Sequence, residues 1–321
     1  MNESHLRMWS VLAIGGLVVT ALAAACAVED PAADASGAHE AAADDARSPQ
    51  DDAAAPEVQA RDAGAADGDA AFTEPTPAAL GSRLALWLRA DRGVVGTAEG
   101  LTRWEDQSGS GNDALPAGAG FIAPTPDGLE GHPSIHFAGT GTGYLTIADS
   151  PTLHFGTGDV TSFVVFSHSS GPSATSRIVF TKQAQVSPYA GFGVFANVGG
   201  TYGLGTHLRS PGPFVTLAGD DPEVYATRTP VLLVSRRTNT LALTATARTS
   251  SAFDSDAPTF EDAVVDLTND APLRIGGQGT VSQALRGDIA EIVIVRGSMT
   301  PTEHESVSAY LGAKYDLLPK L

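Results

Sequence analysis

Residues 80–321 predict an all-β domain of two packed antiparallel sheets, closed by a short C-terminal helix and preceded by a disordered stalk. Three observations carry this expectation. Short runs of β-branched and aromatic residues recur through these 242 residues, each bounded by Gly, Pro, Asn or Asp. One segment alone, near the C-terminus, carries strong helical signals. The composition also breaks near Leu80, where an Ala- and Asp-rich segment gives way to the first alternating run.

Residues 84–89 open the strand series, with Leu84, Leu86 and Leu88 on one face and Ala85, Trp87 and Arg89 on the other. Further strands are expected at 134–137, 144–147, 160–168, 177–181, 191–197, 202–208, 231–236, 241–247, 272–275 and 288–296. Thr300-Pro301-Thr302-Glu303 is a capping box with Pro at the first helical position, after which Val307, Tyr310 and Leu311 recur at helical spacing. Strands throughout with one terminal helix fit a sandwich, and no fixed repeat suggests a propeller or solenoid.

Residues 27–79 hold 20 Ala, 13 acidic residues and 2 Arg, with Phe72 the sole aromatic. So little apolar surface cannot offset ordering entropy, and five prolines interrupt any helix, so this segment reads as an extended, self-repelling tether. The domain that follows carries 16 basic and 23 acidic residues, a net −7 without a basic stripe. Nucleic acid is therefore not an expected partner.

Ahead of the tether, residues 8–25 are uncharged and apolar or small, behind His5 and Arg7, which is the layout of a signal peptide over residues 1–25. At eighteen residues an uncleaved membrane anchor is the alternative. Leu22-Ala23-Ala24-Ala25-Cys26 resembles a lipobox, with Leu22 one position further from the cysteine than the usual pattern. Cys26 is the only cysteine, so the domain has no disulfide, and acylation accounts for the single thiol. The resemblance to bacterial lipoproteins implies a membrane partner through a lipid on Cys26, and Ala27 in place of Asp implies the outer membrane or cell surface.

Leu86-Trp87-Leu88-Arg89-Ala90-Asp91, Trp104-Glu105-Asp106-Gln107-Ser108-Gly109 and Ser134-Ile135-His136-Phe137 are similar to the opening of laminin-G-like jelly rolls of the concanavalin A-like lectin/glucanase superfamily. Gly287-Asp288-Ile289-Ala290-Glu291-Ile292 and the helix after Met299 resemble that family's close. The resemblance implies a jelly-roll sandwich with Trp87 and Trp104 in its scaffold. Its members include lectins, glucanases and domains of other kinds, so function must be argued from a site.

Catalytic templates fail on spacing. A retaining glycosidase needs two carboxylates about 5–5.5 Å apart, yet no Glu-x-Asp-x-Glu run occurs, and Asp288 and Glu291 are expected on opposite faces of their strand. Glu291 reads as a buried carboxylate paired with an arginine such as Arg274 or Arg286. Ser308 stands where a zinc-protease helix begun at His304-Glu305 needs its second histidine, and no Gly-x-Ser-x-Gly elbow occurs. The expectation is a protein that is not an enzyme and requires no cofactor.

Two sets of binding residues are candidates. Asp106, Asn112 and Asp113 flank a Ser/Gly loop that reads either as a hydrogen-bonded turn or as a calcium site completed by a distant carboxylate such as Asp91 or Asp149. Ala117 at the twelfth position excludes an EF-hand. Tyr189, Tyr202, Phe214 and Tyr225 lie near Gly- and Pro-rich turns and are candidates for stacking on a sugar ring. The expected function is binding or adhesion to polysaccharide or glycoconjugate. A divergent glycoside-active enzyme and a structural envelope protein that binds other proteins are the alternatives.

Overall fold

The computed structural model describes residues 77–169, 175–186, 189–198, 203–207, 214–217, 228–238, 243–249, 253–256 and 266–317. The expected leader, Cys26 and nearly all of the stalk lie outside these residues, as do Tyr202 and Tyr225.

After a 3-10 segment (Pro77–Arg83) the chain runs through β1 (Leu84–Arg89), β2 (Val94–Thr97), β3 (Gly100–Trp104), β4 (Leu115–Ala117), β5 (Ile122–Leu129), β6 (His132–Ala138), β7 (Tyr144–Ile147) and β8 (Val160–His168). It continues with β9 (Arg177–Gln183), β10 (Gly191–Val198), β11 (Gly203–His207), β12 (Phe214–Leu217), β13 (Val231–Arg237), β14 (Leu243–Arg248) and β15 (Phe253–Asp256). The last elements are β16 (Leu273–Ile275), β17 (Arg286–Arg296) and the helix α1 (Pro301–Lys314).

These strands form an eight-stranded sheet, β15-β14-β13-β8-β17-β6-β5 with β1 also on β17, and a seven-stranded sheet, β12-β11-β10-β9-β16-β7-β4. A separate β2-β3 hairpin completes the set, and all pairings are antiparallel. The expected two-sheet antiparallel sandwich with a terminal helix is the observed architecture.

The alternating pattern explains the layers. Leu88, Phe166 and Ile292 of the larger sheet meet Leu145, Phe180 and Ile275 of the smaller one in the inter-sheet core. On the far side of the larger sheet, Trp87, Phe163 and Val293 lie under Val307 and Leu311 of α1 and Tyr315 at its C-cap. β8 is therefore buried on both faces, and its centre, Phe163 to Phe166, is accordingly apolar at four successive positions. The helix begins where expected, with Thr300 accepting from the Glu303 amide and the Glu303 carboxylate accepting from the Thr300 amide. Gly276 turns the chain after β16 at φ 76°, and a Cβ there would meet the Phe137 ring at 2.2 Å.

Two β-bulges overturn the expected facing of side chains. The register of β1 on β17 shifts between Leu84 and Leu86, which moves Leu84 to the helix side with Trp87, while Ala85 joins Leu86 and Leu88 in the inter-sheet core. β17 is bulged between Ile289 and Glu291. Asp288 lies beside His136, and Glu291 lies beside Trp87, so both carboxylates are on the helix side of the larger sheet. Counting by twos predicts opposite faces because it has no place for the extra residue.

Candidate functional site

The outer face of the seven-stranded sheet is the second exterior face of the sandwich, opposite the one that α1 covers. Leu273 and Ile275 point into the core, so Arg274 between them points outward. Cross-strand register puts one row of residues across the whole sheet at this level: Leu115, Thr146, Arg274, Thr181, Gly193, His207 and Phe214. Phe214, an expected stacking residue, thus occupies an end of the row that contains Arg274.

Tyr189, a second expected stacking residue, stands at the margin of the same face. It is 43% exposed and lies in the β9–β10 connection, with positive φ (51°) and its amide donating to the Val186 carbonyl at 2.7 Å. Gln183, two residues along β9 from Thr181, donates to the Tyr189 carbonyl at 2.6 Å and so ties that connection to the sheet face. On the other side of Arg274, Tyr144 is half-buried and shares its face with Thr146. Sequence reasoning missed Arg274, Tyr144 and Thr146 as a group. Their facing was readable from the flanking Leu145 and Ile275, but their adjacency depends on β7 pairing with β16, about 130 residues later in the chain.

The Asp106 loop is held by internal hydrogen bonds. One Asp106 carboxylate oxygen accepts from the Trp87 and Ser108 amides, each at 2.9 Å, and the other from the Ser108 hydroxyl at 2.7 Å and the Asn112 amide at 3.0 Å. Asp113 accepts from the Asp106 amide at 2.9 Å. The Asn112 side chain is buried, donates to the Ala85 carbonyl and Thr152, and accepts from Ser150. An ion at this loop would compete with those donors for the same oxygens.

Asp149 has its own partners. Lys182, almost fully buried, donates from Nζ to Asp149 at 2.8 Å and to the Asn269 and Ala271 carbonyls, each at 2.6 Å. Burial pulls the Lys182 ammonium down from its ordinary pKa, with Asp149 opposing the shift. Among the described residues, Asp149, His154 and Asp270 bring their ligand atoms within 4.8 Å of one another, and the Lys182 ammonium already sits against the first of them.

Glu291 pairs with a lysine rather than the expected arginine. It is completely buried and accepts from the Trp87 indole at 2.6 Å, the Lys314 ammonium at 2.7 Å and the Tyr315 hydroxyl at 2.9 Å. The C-terminal helix brings a cation to this carboxylate from above the sheet, whereas Arg274 lies on the opposite sheet. Lys314 also reaches Asp91 at 3.0 Å, and Arg89 pairs with Asp91 at 2.6 Å. Burial pushes the Asp91 carboxyl up, but Arg89 and Lys314 outweigh it and hold it at about 2. Burial, reinforced by Glu291, raises the Tyr315 hydroxyl far above its ordinary value. Asp288 accepts from Ser134 at 3.1 Å and lies 3.1 Å from His136, and Ser134 also lines a groove of about 360 Å³ with Val94, Thr97, Pro124 and Pro126.

No family model and no curated protein matches the chain. Solved structures do. The chain is similar to the binding domain of Paraclostridial Mosquitocidal Protein 1, with TM-score 0.52 and 10% identity over 72% of this chain and 52% of that one. The likeness is one of fold. An arabinofuranosidase complexed with arabinofuranosyl-alpha-1,2-xylobiose gives TM-score 0.53 and 10% identity over 77% of this chain and 66% of that one. The binding domain of botulinum neurotoxin serotype G gives TM-score 0.51 and 11% identity over 71% and 50%. All are jelly-roll-like all-β structures, and the chain spans between half and two-thirds of the length of each.

Proposed function

We propose that this chain is an exported binding module, held on the outer membrane or cell surface by a lipid on Cys26, that binds carbohydrate on the outer face of its seven-stranded sheet. The observation that carries the reading is the pair Thr146 and Arg274, both partly exposed, with the rings of Tyr144 and Tyr189 to either side; Thr181, next in the row, is buried. Sugar recognition calls for apolar ring faces beside a few fixed polar groups, and this face supplies both. An arabinofuranosidase of similar fold is complexed with arabinofuranosyl-alpha-1,2-xylobiose, which supports carbohydrate as the ligand class by analogy of fold.

The reading is binding without catalysis. Glu291 is closed to solvent and saturated by three donors, so it offers neither a proton nor a nucleophile to a substrate. No cofactor is required, and the stalk would serve as the spacer between lipid and domain.

Calorimetry of the full chain against arabinan, arabinoxylan and alginate tests the proposal. Binding to at least one, weakened about three- to tenfold by Tyr189→Ala at unchanged melting temperature, is the expected result. Failure to bind any polysaccharide would overturn it.

A further inference from the structure

Arg274 stands apart from every other arginine of comparable burial among the described residues. Arg83, Arg89, Arg177, Arg236, Arg237 and Arg296 each donate to a carboxylate or a backbone carbonyl. Arg274 donates to nothing: its Nε and Nη1 are buried without an acceptor, and no carboxylate pairs with it. Nη2 has no acceptor among the described residues either and is not fully buried, so the partly exposed guanidinium keeps one edge free between Thr146 and Thr181 in the row.

A half-buried, uncompensated cation is an expensive choice for the middle of a sheet, because its donors give up water and gain no protein acceptor. The side chain is also the wrong choice for long-range attraction, since the domain carries a net −7 and a single cation is screened beyond a Debye length of about 8 Å. What remains is a short-range contact with a single anionic oxygen, which an open guanidinium edge makes well.

We propose that Arg274 makes this face selective for acidic sugars, taking a carboxylate or sulfate oxygen at Nη2 while Tyr144 and Thr146 border the sugar ring. The inference rests on the carbohydrate-binding reading above and adds the ligand's charge to it. Selectivity arises because a neutral sugar leaves the guanidinium as uncompensated as before, whereas an anionic one relieves it.

The test is calorimetry of the full chain at 0.15 M salt with alginate as the carboxylate probe, dextran sulfate as the sulfate probe, and arabinan and dextran as neutral controls. Wild type should bind one acidic polymer at least tenfold more tightly than either neutral one, and the polymer preferred names the anion. Arg274→Gln should remove that preference at an unchanged melting temperature. Competition supplies a measurement independent of the variant: methyl glucuronide should displace bound alginate, or glucose 6-sulfate bound dextran sulfate, where methyl glucoside does not. Equal binding of acidic and neutral polymers, or an acidic preference that survives Arg274→Gln, overturns the inference and leaves the carbohydrate reading standing. Binding of none of the four overturns both.

Discussion

Lys314, on the last turn of the C-terminal helix, donates at 2.7 Å to Glu291, a carboxylate with no solvent exposure at the centre of the larger sheet. The pair is the electrostatic fastening between helix and sheet. Lys314→Met should leave an uncompensated buried charge and destabilise the domain by about 3–5 kcal/mol. Glu291→Gln in the same chain should recover a substantial part of the loss, since the amide oxygen can still accept from Trp87 while its NH2 donates to the Tyr315 hydroxyl. Urea unfolding of the wild type, single and double variants measures both effects, and an additive double variant would contradict the pairing.

Asp91 gives the pH dependence a definite sign. Its folded pKa, about 2, lies below the ordinary carboxylate value, so its contribution is present above pH 4 and is lost as pH falls through 2. Because the residue is partly exposed, solvent screening limits the effect to about 1 kcal/mol. Thermal melts from pH 5 to pH 2 should show a smaller acid loss in Asp91→Asn than in wild type.

The Asp106 loop yields a prediction that separates its two readings. As a hydrogen-bonded turn it loses four accepted bonds in Asp106→Ala, which should cost about 2–4 kcal/mol with or without chelator. Chelation of the wild type should leave its melting temperature unchanged. A drop of several degrees on chelation, absent in Asp106→Ala, would instead assign the loop to calcium.

The lipid anchor predicts a mass. Cys26 should be the acylated first residue of the mature chain, and Cys26→Ser should leave the protein unprocessed or release it from the membrane fraction. Intact-mass measurement showing an unmodified thiol on residue 26 would remove the anchor from the proposal.

Strands with a strong apolar identity were legible in the sequence. β1, β7 and β8 have the bounds expected from their β-branched, aromatic and alternating residues, and the capping box places α1. β5 was missed because Pro124 and Pro126 argue against a strand, yet it lies at the edge of its sheet, where proline withdraws no needed donor. β2 and β3 form a partly exposed hairpin that lacks the apolar contrast on which pattern reading depends. The site was legible only in part. Tyr189 could be nominated from its turn, but Arg274 becomes significant only when its neighbours across the sheet are known to offer no acceptor, and that follows from pairing between distant segments.

The position of β17 bears on how this protein reaches its native state. One edge of β17 receives β8, and the other receives β6 and β1 end to end, so the central strand of the larger sheet is among the last segments synthesised. Leu84 finds its partner Val295 only after some 210 intervening residues have been made. Until then β1, β6 and β8 present unsatisfied backbone edges, and contacts of such long range close slowly. A nascent chain therefore cannot complete this sandwich before β17 has been made. The same dependence makes truncation before Arg296 a lesion of the whole domain, with no stable N-terminal fragment left behind.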